Sequence, residues 1–289
     1  NETILVKMLP KNRPALINAA KDIPTGPIIS TADGSKSQNR TYQDLLKNKT
    51  DEANFESLVS SELYKVTLNG TKTLFMPADL YAGESFSPDG NYLMVSTIQK
   101  PFSYIVPLNR FPSKTIVYDL NGKAIKTVNE VPLNEIMPKG FMAVRKGKRS
   151  MGWRADTPAT LTFVEALDEG DPANKVEFRD EVFLWEAPFS GNPTSLVKTG
   201  QRYGGITWGN ATTAFLYDQW YDTRNERTFL INPSKPNEKP QLVWDRNSQD
   251  IYSDPGGFET VKNQYGRQVL ALEGDNAFLL GKGHTKDGQ

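Results

Sequence analysis

Three stretches of this chain repeat one order of apolar and polar positions: GESFSPDGNYLMVST, SMGWRADTPATLTFVEA and GGITWGNATTAFLYDQW, anchored at Phe86, Trp153 and Trp208. Each opens on a small residue, closes on an aromatic, crosses a polar turn and returns in an apolar run such as Tyr92 to Val95. That pattern predicts a β-hairpin. After each hairpin comes a β-branched or alternating run, Ile116 to Leu120, Val182 to Trp185 and Thr228 to Ile231. A weaker fourth run follows at Ala124 to Val128, Thr194 to Val197 and Gln241 to Trp244, behind turns such as Asn121-Gly122 and Gly191-Asn192-Pro193.

Four antiparallel strands recurring with the anchors 67 and then 55 residues apart make the blade pattern of an all-β propeller. Phe258 marks a fifth unit 50 residues further on. The drift in period is what loop insertions produce. The units read as a partial ring of about five blades, three of them complete. The blades are 80–130, 143–199 and 202–246, flanked by incomplete ones at 1–78 and 251–289. In the first, Thr3 to Val6, Glu62 to Leu68 and Thr73 to Met76 are strands, separated by an insertion over 10–60. Gln268 to Leu272 and Ala277 to Leu280 are expected as the second and third strands of the last. Open blade edges predict self-association.

The insertion begins with turn residues (Asn12, Pro14, Pro24, Gly26, Pro27). Residues 41–60 then carry helix formers with Leu45, Leu46, Phe55 and Leu58, which predicts one or two short helices. An insertion of this length packs on the surface, covers a channel mouth or docks a neighbouring domain.

Composition narrows the chemistry. The 34 basic and 34 acidic side chains cancel, so charge gives no sign of a nucleic-acid partner, and no apolar run approaches a membrane span. The first residues lack the order of a signal peptide, as in a mature start or a fragment. No cysteine is present, which excludes disulfides, thiolate metal sites and a cysteine nucleophile. The single histidine, His284, lies in a Gly- and Lys-rich tail, and no serine sits in a G-x-S-x-G elbow. A catalytic triad and a histidine metal site are therefore not expected, nor is any cofactor.

The acids Asp168, Glu169, Asp171, Asp218 and Asp222 do not follow a calcium loop and are expected as solvated loop residues. The sequons at Asn39, Asn48, Asn69 and Asn210 are short enough to arise by chance. Phe86, Trp153 and Trp208 are expected in the core between blades, with Tyr92 and Tyr217 packing the hairpins. The arginines cluster by blade position: Arg145, Arg149 and Arg154 around one inner hairpin, Arg202 before the next, and Arg224 and Arg227 between its second and third strands. Arg145, Arg149, Arg154, Arg202 and Arg224 are candidates to meet an anionic substrate with a bidentate fork. The competing reading is pairing with Asp156, Asp180 or Asp218.

The strings RKGKRSMGWRADTPATLTFVEALDEGD, RYGGITWGNATTAFLYDQWYDTRNERTFLINP and DRNSQDIYSDPGG closely resemble the propeller of glutamyl endopeptidases, in the prolyl oligopeptidase family of serine peptidases. TYQDLLKNKTDEANFESLVSSELYKV and PFSYIVPLNRFP resemble the same branch. The resemblance covers Thr3 to about Leu280. It implies a parent with a seven-bladed propeller capping an α/β-hydrolase domain that carries the Ser, Asp and His of the triad. The propeller narrows access to that site and so favours peptides, and cleavage follows glutamate. The hydrolase domain is absent from this chain, no catalytic residue maps onto it, and the chain alone is expected to be inactive. A periplasmic or secreted location suits such a peptidase. The alternative is a free-standing propeller that binds a protein or peptide.

Overall fold

The computed structural model describes residues 3–18 and 42–283. It is built almost wholly of β-strands, with one α-helix among the described residues. The chain divides into two compact units, one formed by Asn1–Ser85 with Tyr92–Ile136 and the other by Phe86–Asn91 with Met137–Gln289.

In the first unit, β1 (Thr3–Met8), β2 (Ser61–Thr67) and β3 (Lys72–Asp79) make a three-stranded antiparallel sheet in the order β1-β2-β3. Between β1 and β2 runs α1 (Lys49–Val59). Its N-cap is the sequon residue Asn48, whose side-chain oxygen accepts from the Asp51 amide at 2.8 Å. Asp51 and Glu52 place acidic charge in the first turn, where the helix dipole favours it. The helix seats Phe55 edge-on against Phe102 and Phe111, at centroid distances of 5.1 and 6.0 Å. Ile98 and Val106 complete that cluster, and Leu46 and Val59 pack on it. The segment PFSYIVPLNRFP is thus the floor on which the helical insertion rests.

The next sheet is a four-stranded meander of β4 (Tyr81–Phe86), β5 (Tyr92–Ile98), β6 (Ser113–Asp119) and β7 (Ala124–Val131). The Ser87-Pro88-Asp89-Gly90 turn joins β4 to β5. Asp89 accepts from the Ser87 hydroxyl at 2.6 Å, and Gly90 supplies the positive φ of 74°. Alternation along β5 buries Leu93 and Val95 on one face, while Ile98, out of that phase, joins the Phe102 cluster.

The second unit holds two further meanders of the same kind. One is β8 (Arg149–Trp153), β9 (Thr160–Ala166), β10 (Asp180–Glu186) and β11 (Thr194–Thr199). The other is β12 (Arg202–Trp208), β13 (Ala214–Trp220), β14 (Asn225–Ile231) and β15 (Gln241–Asn247). Strand β9 is buried on both faces from Thr160 to Val164, which is why TLTFV reads as a continuous run rather than an alternation. Phe163 stacks on its register partner Phe183 at 5.2 Å. Val164, Val182, Leu184, Val197, Trp208 and Leu216 belong to one core cluster. Three consecutive four-stranded antiparallel meanders are propeller blades, and the fold is an all-β propeller.

The last segment departs from expectation. Gln268–Leu272 and Ala277–Leu280 do not form one long hairpin. Instead β16 (Gly257–Phe258) pairs with β21 (Leu279–Leu280), β17 (Thr260–Lys262) with β18 (Gln268–Leu270), and β19 (Leu272–Glu273) with β20 (Asn276–Ala277). The third strand therefore leaves the second after two residues and returns to the first. Glu259 joins the pieces: its amide donates to Phe278 O at 2.8 Å and its carbonyl accepts from Ala271 N at 2.9 Å. Phe258 stacks on Phe215 at 4.0 Å. Phe86 is a second correction, since 36% of it is exposed while Trp208 is 7% exposed. A phenyl ring at the open end of a hairpin meets less of its surroundings than an indole, and here it stays at the surface.

Candidate functional site

One end of the blade β8–β11 gathers charge to a degree that local sequence pattern does not suggest. Asp168, just beyond β9, and Asp180, the first residue of β10, are 1% and 0% exposed. Buried carboxylates are stable only when paired and hydrogen-bonded, and both are. Asp168 Oδ2 accepts from Arg179 Nη1 at 2.8 Å and from Arg202 Nη2 at 2.7 Å, while its Oδ1 accepts from the Gly170 amide at 3.0 Å. Asp180 accepts from Arg202 Nη1 at 3.1 Å and from the Tyr203 amide at 2.7 Å, and it forms an ion pair with Arg149. The expectation that Asp168 and Asp218 are solvated loop acids is corrected here. Each is the anchor of a buried ion pair, Asp168 from the turn that follows β9 and Asp218 from within β13, where it is the register partner of Arg227.

Arg202 is saturated. Besides the two acids it donates to Met142 O at 2.7 Å and Arg179 O at 3.2 Å, and it is 2% exposed. Arg179 also lies over the Trp220 ring, 4.3 Å from its centroid. Arg154, at the opposite end of β8, makes a bidentate pair with Asp156 at 2.8 and 2.7 Å and packs over Trp208 at 4.8 Å. Arg227, in β14, binds Asp218 at 2.9 and 2.5 Å, and that pairing raises its pKa. Arg224 has a positive φ of 56° and stacks on Tyr221 at 3.7 Å, which in turn meets the exposed Phe141 at 4.4 Å.

Arg145 and Arg149 differ from these. A β-bulge in β8 sets the direction of Arg149: its register partner is Val164, while Gly152 already faces Thr162, so three steps on β8 match two on β9. Ser150 takes the extra residue with φ at 52°, a left-handed conformation that costs a non-glycine residue about 1 kcal/mol. Arg149 reaches Asp180 with Nη2, off the hydrogen-bonding line, and its buried Nε has no acceptor among the described residues. Among the described residues Arg145 donates to loop carbonyls, to Lys146 O at 3.1 Å and to Lys148 O. Burial, with the facing Arg149 charge, pushes its guanidinium below the usual value. Tyr203 stands near Arg149, and burial pushes its phenol up to about 12.

The segment carrying Arg145 is fixed by Gly170. Val144 N donates to Gly170 O at 3.0 Å, and a Cβ at Gly170, where φ is +75°, would lie 2.0 Å from Val144 O. Only glycine fits that close approach. The string LDEGD thus serves to lock the loop segment that leads into β8.

Of the arginines expected as a group, Arg145, Arg149 and Arg202 gather here together with Arg179. Arg154 sits at the other end of the blade, and Arg224 lies in the turn before β14. The role of Arg179 was not legible, since it depends on the buried Asp168 rather than on blade position. Among the described residues no cluster of His, Cys, Asp and Glu is arranged to hold a metal ion, and no helix is long and apolar enough to cross a membrane. His284 and Asn39 lie outside the described residues. Asn69 and Asn210, like Asn48, use their side chains locally, accepting from Thr71 N at 3.1 Å and Thr212 N at 2.9 Å.

No protein-family model matches the chain. Among curated proteins it is 38% identical over 296 residues to a probable chloroplastic glutamyl endopeptidase of Oryza sativa subsp. japonica. It is 39% identical over 298 residues to the protein of the same name from Arabidopsis thaliana. In both cases all of this chain is covered and 31% of the relative, so the chain spans about a third of the relatives' length. Among solved structures, an acylaminoacyl peptidase of Pyrococcus horikoshii is similar at TM-score 0.39 and 11% identity, over 64% of this chain and 29% of that one. The β-propeller domain of the trilobed protease of Pyrococcus furiosus gives TM-score 0.40 and 11% identity, over 79% and 64%. Those superpositions add nothing to the assignment, which rests on the sequence relatives and the blades. Along its whole length the chain is thus related to one segment of the proteins named probable glutamyl endopeptidase, and that segment is folded here as propeller blades.

Proposed function

We propose that this chain is the propeller that restricts substrate access in a glutamyl-endopeptidase-like serine peptidase, with the catalytic triad supplied by an α/β-hydrolase domain of the same protein. The observation that carries this reading is the identity of 38% along the whole chain to one segment of a relative named a probable glutamyl endopeptidase. The residues present agree with a non-catalytic role. The only histidine is His284, and no G-x-S-x-G elbow occurs in the sequence. A packed propeller admits extended peptides more readily than folded proteins.

The test uses the whole natural protein and one glutamate-containing substrate in two states, a small folded domain and the same domain held unfolded by mutation. The unfolded form is expected to be cleaved at least about tenfold faster than the folded one under conditions where an unrestricted protease differs less. Equal rates would remove the access role. Absence of any cleavage after glutamate in short peptides would remove the peptidase reading itself.

A further inference from the structure

The sequence holds two Asn-Gly pairs, Asn69-Gly70 and Asn121-Gly122, and both follow a leucine, so LNGT and LNGK place the same neighbours on either side of the asparagine. Their turns also match. One joins the paired strands β2 and β3, the other β6 and β7. Both asparagines are exposed, and the two glycines have φ of 84° and 82°. Each glycine amide donates to the carbonyl three residues back, Gly70 N to Thr67 O at 2.9 Å and Gly122 N to Asp119 O at 3.1 Å. The asparagine side chains differ. Asn69 Oδ1 accepts from Thr71 N at 3.1 Å and from the Thr67 hydroxyl, so its amide is built into the turn. In the other turn that part is played by Asp119, whose Oδ1 accepts from Asn121 N at 2.8 Å and from Lys123 N at 2.9 Å. No hydrogen bond among the described residues holds the side-chain amide of Asn121.

We propose that Asn121 is a site of spontaneous covalent modification, its side-chain amide converting through a succinimide to aspartate and isoaspartate, and that Asn69 is protected from the same reaction. The Gly122 nitrogen gives up its proton to a base in solution and attacks Asn121 Cγ; the Cγ–Nδ2 bond breaks and ammonia leaves. Water then opens the ring at either carbonyl, so the net change is one amide and one water to one carboxylic acid and one ammonia. Glycine suits the step because no Cβ crowds the attacking nitrogen. Both turns must release the glycine amide to reach the ring, but only Asn69 must also give up two side-chain bonds. Two bonds of ordinary net strength place the rates about tenfold or more apart. The product sets a new carboxylate two residues from Asp119, and its isoaspartate form adds a methylene to the backbone of the β6–β7 turn. The inference stands on these two turns and does not require the peptidase reading.

The experiment ages the whole natural protein in mildly alkaline buffer, below its melting temperature, and follows both sites by mass spectrometry of its peptides. Synthetic peptides carrying LNGT and LNGK are aged alongside, and each rate in the protein is divided by that of its own peptide. On that scale Asn121 should convert about tenfold or more faster than Asn69. Thr67→Val removes the hydroxyl bond to Asn69 and leaves that from Thr71 N. It should raise the Asn69 rate about threefold or more without changing that of Asn121. A melting curve checks that this variant is folded, and the comparison within the natural protein carries the decision should it not be. Equal relative rates at the two sites, or a faster Asn69, overturn the proposal. So does an Asn121 that stays unmodified while its peptide is converted, or an Asn69 whose rate is unchanged in a folded Thr67→Val protein.

Discussion

Blades β8–β11 and β12–β15 are built on the same hairpin yet treat buried charge differently. In β12–β15 one acid meets one base. Asp218 takes both donors of Arg227, whose side chain keeps 24% exposure, so the pair is balanced and partly wetted. In β8–β11 two fully buried acids serve arginines that outnumber them, and Arg202 at the start of β12 is shared between both acids. The difference teaches that the hairpin pattern fixes where a blade's strands run but not the charge at its ends. That charge is set by residues at strand ends and in the adjoining turns, and in β8–β11 the guanidinium groups outnumber the carboxylates they meet.

The largest test of this contrast is Asp180→Ala, which leaves Arg149 and Arg202 facing each other without their shared acid. A loss of about 3 to 5 kcal/mol is expected in urea unfolding. Asp218→Ala should cost less, about 1 to 3 kcal/mol, because Arg227 can turn to water. If the two variants lost the same stability, the distinction between a buried shared hub and a balanced pair would fail.

Alkaline titration sharpens the comparison on the β8–β11 side. The folded pKa of Tyr203, about 12, stands above the ordinary phenol value, so the folded state holds its proton more firmly than the unfolded chain. That stabilisation is complete below pH 10 and is lost as pH rises through about 12, by about 2 to 3 kcal/mol. Unfolding measured from pH 9 to 12 should show the fall, and Tyr203→Phe should remove this part of it; an unchanged slope in the variant would show that burial does not hold the phenol's proton. The smallest effect belongs to Phe86→Ala. A ring 36% exposed should cost under about 1 kcal/mol, and a cost like that of a buried aromatic would show that its anchor role is real.

What the sequence made legible follows from range. Third and fourth strands such as Ser113–Asp119 and Thr194–Thr199 were readable because alternation and Asn-Gly or Gly-Asn-Pro turns act over a few residues. The helix at Lys49–Val59 was readable from its composition, though not that Phe55 would fix it on Phe102 and Phe111. The terminal segment misled because two-residue pairings obey no period, and Phe86 because an aromatic anchor says nothing of what covers it. For the site, the candidate arginines were named as a group, but Asp168 read as a loop acid. Its burial depends on Arg179 and Arg202, 11 and 34 residues away, and no local pattern carries that information.

The central claim is that the buried charge of β8–β11 is one coupled cluster, with Arg202 shared by Asp168 and Asp180, whereas that of β12–β15 is a single pair. A double-mutant cycle on Asp168 and Asp180 in the whole natural protein, read by urea unfolding, tests it most directly. The account predicts that the losses from Asp168→Ala and Asp180→Ala are non-additive by about 1 kcal/mol or more, because both act on Arg202. Additive losses would contradict it.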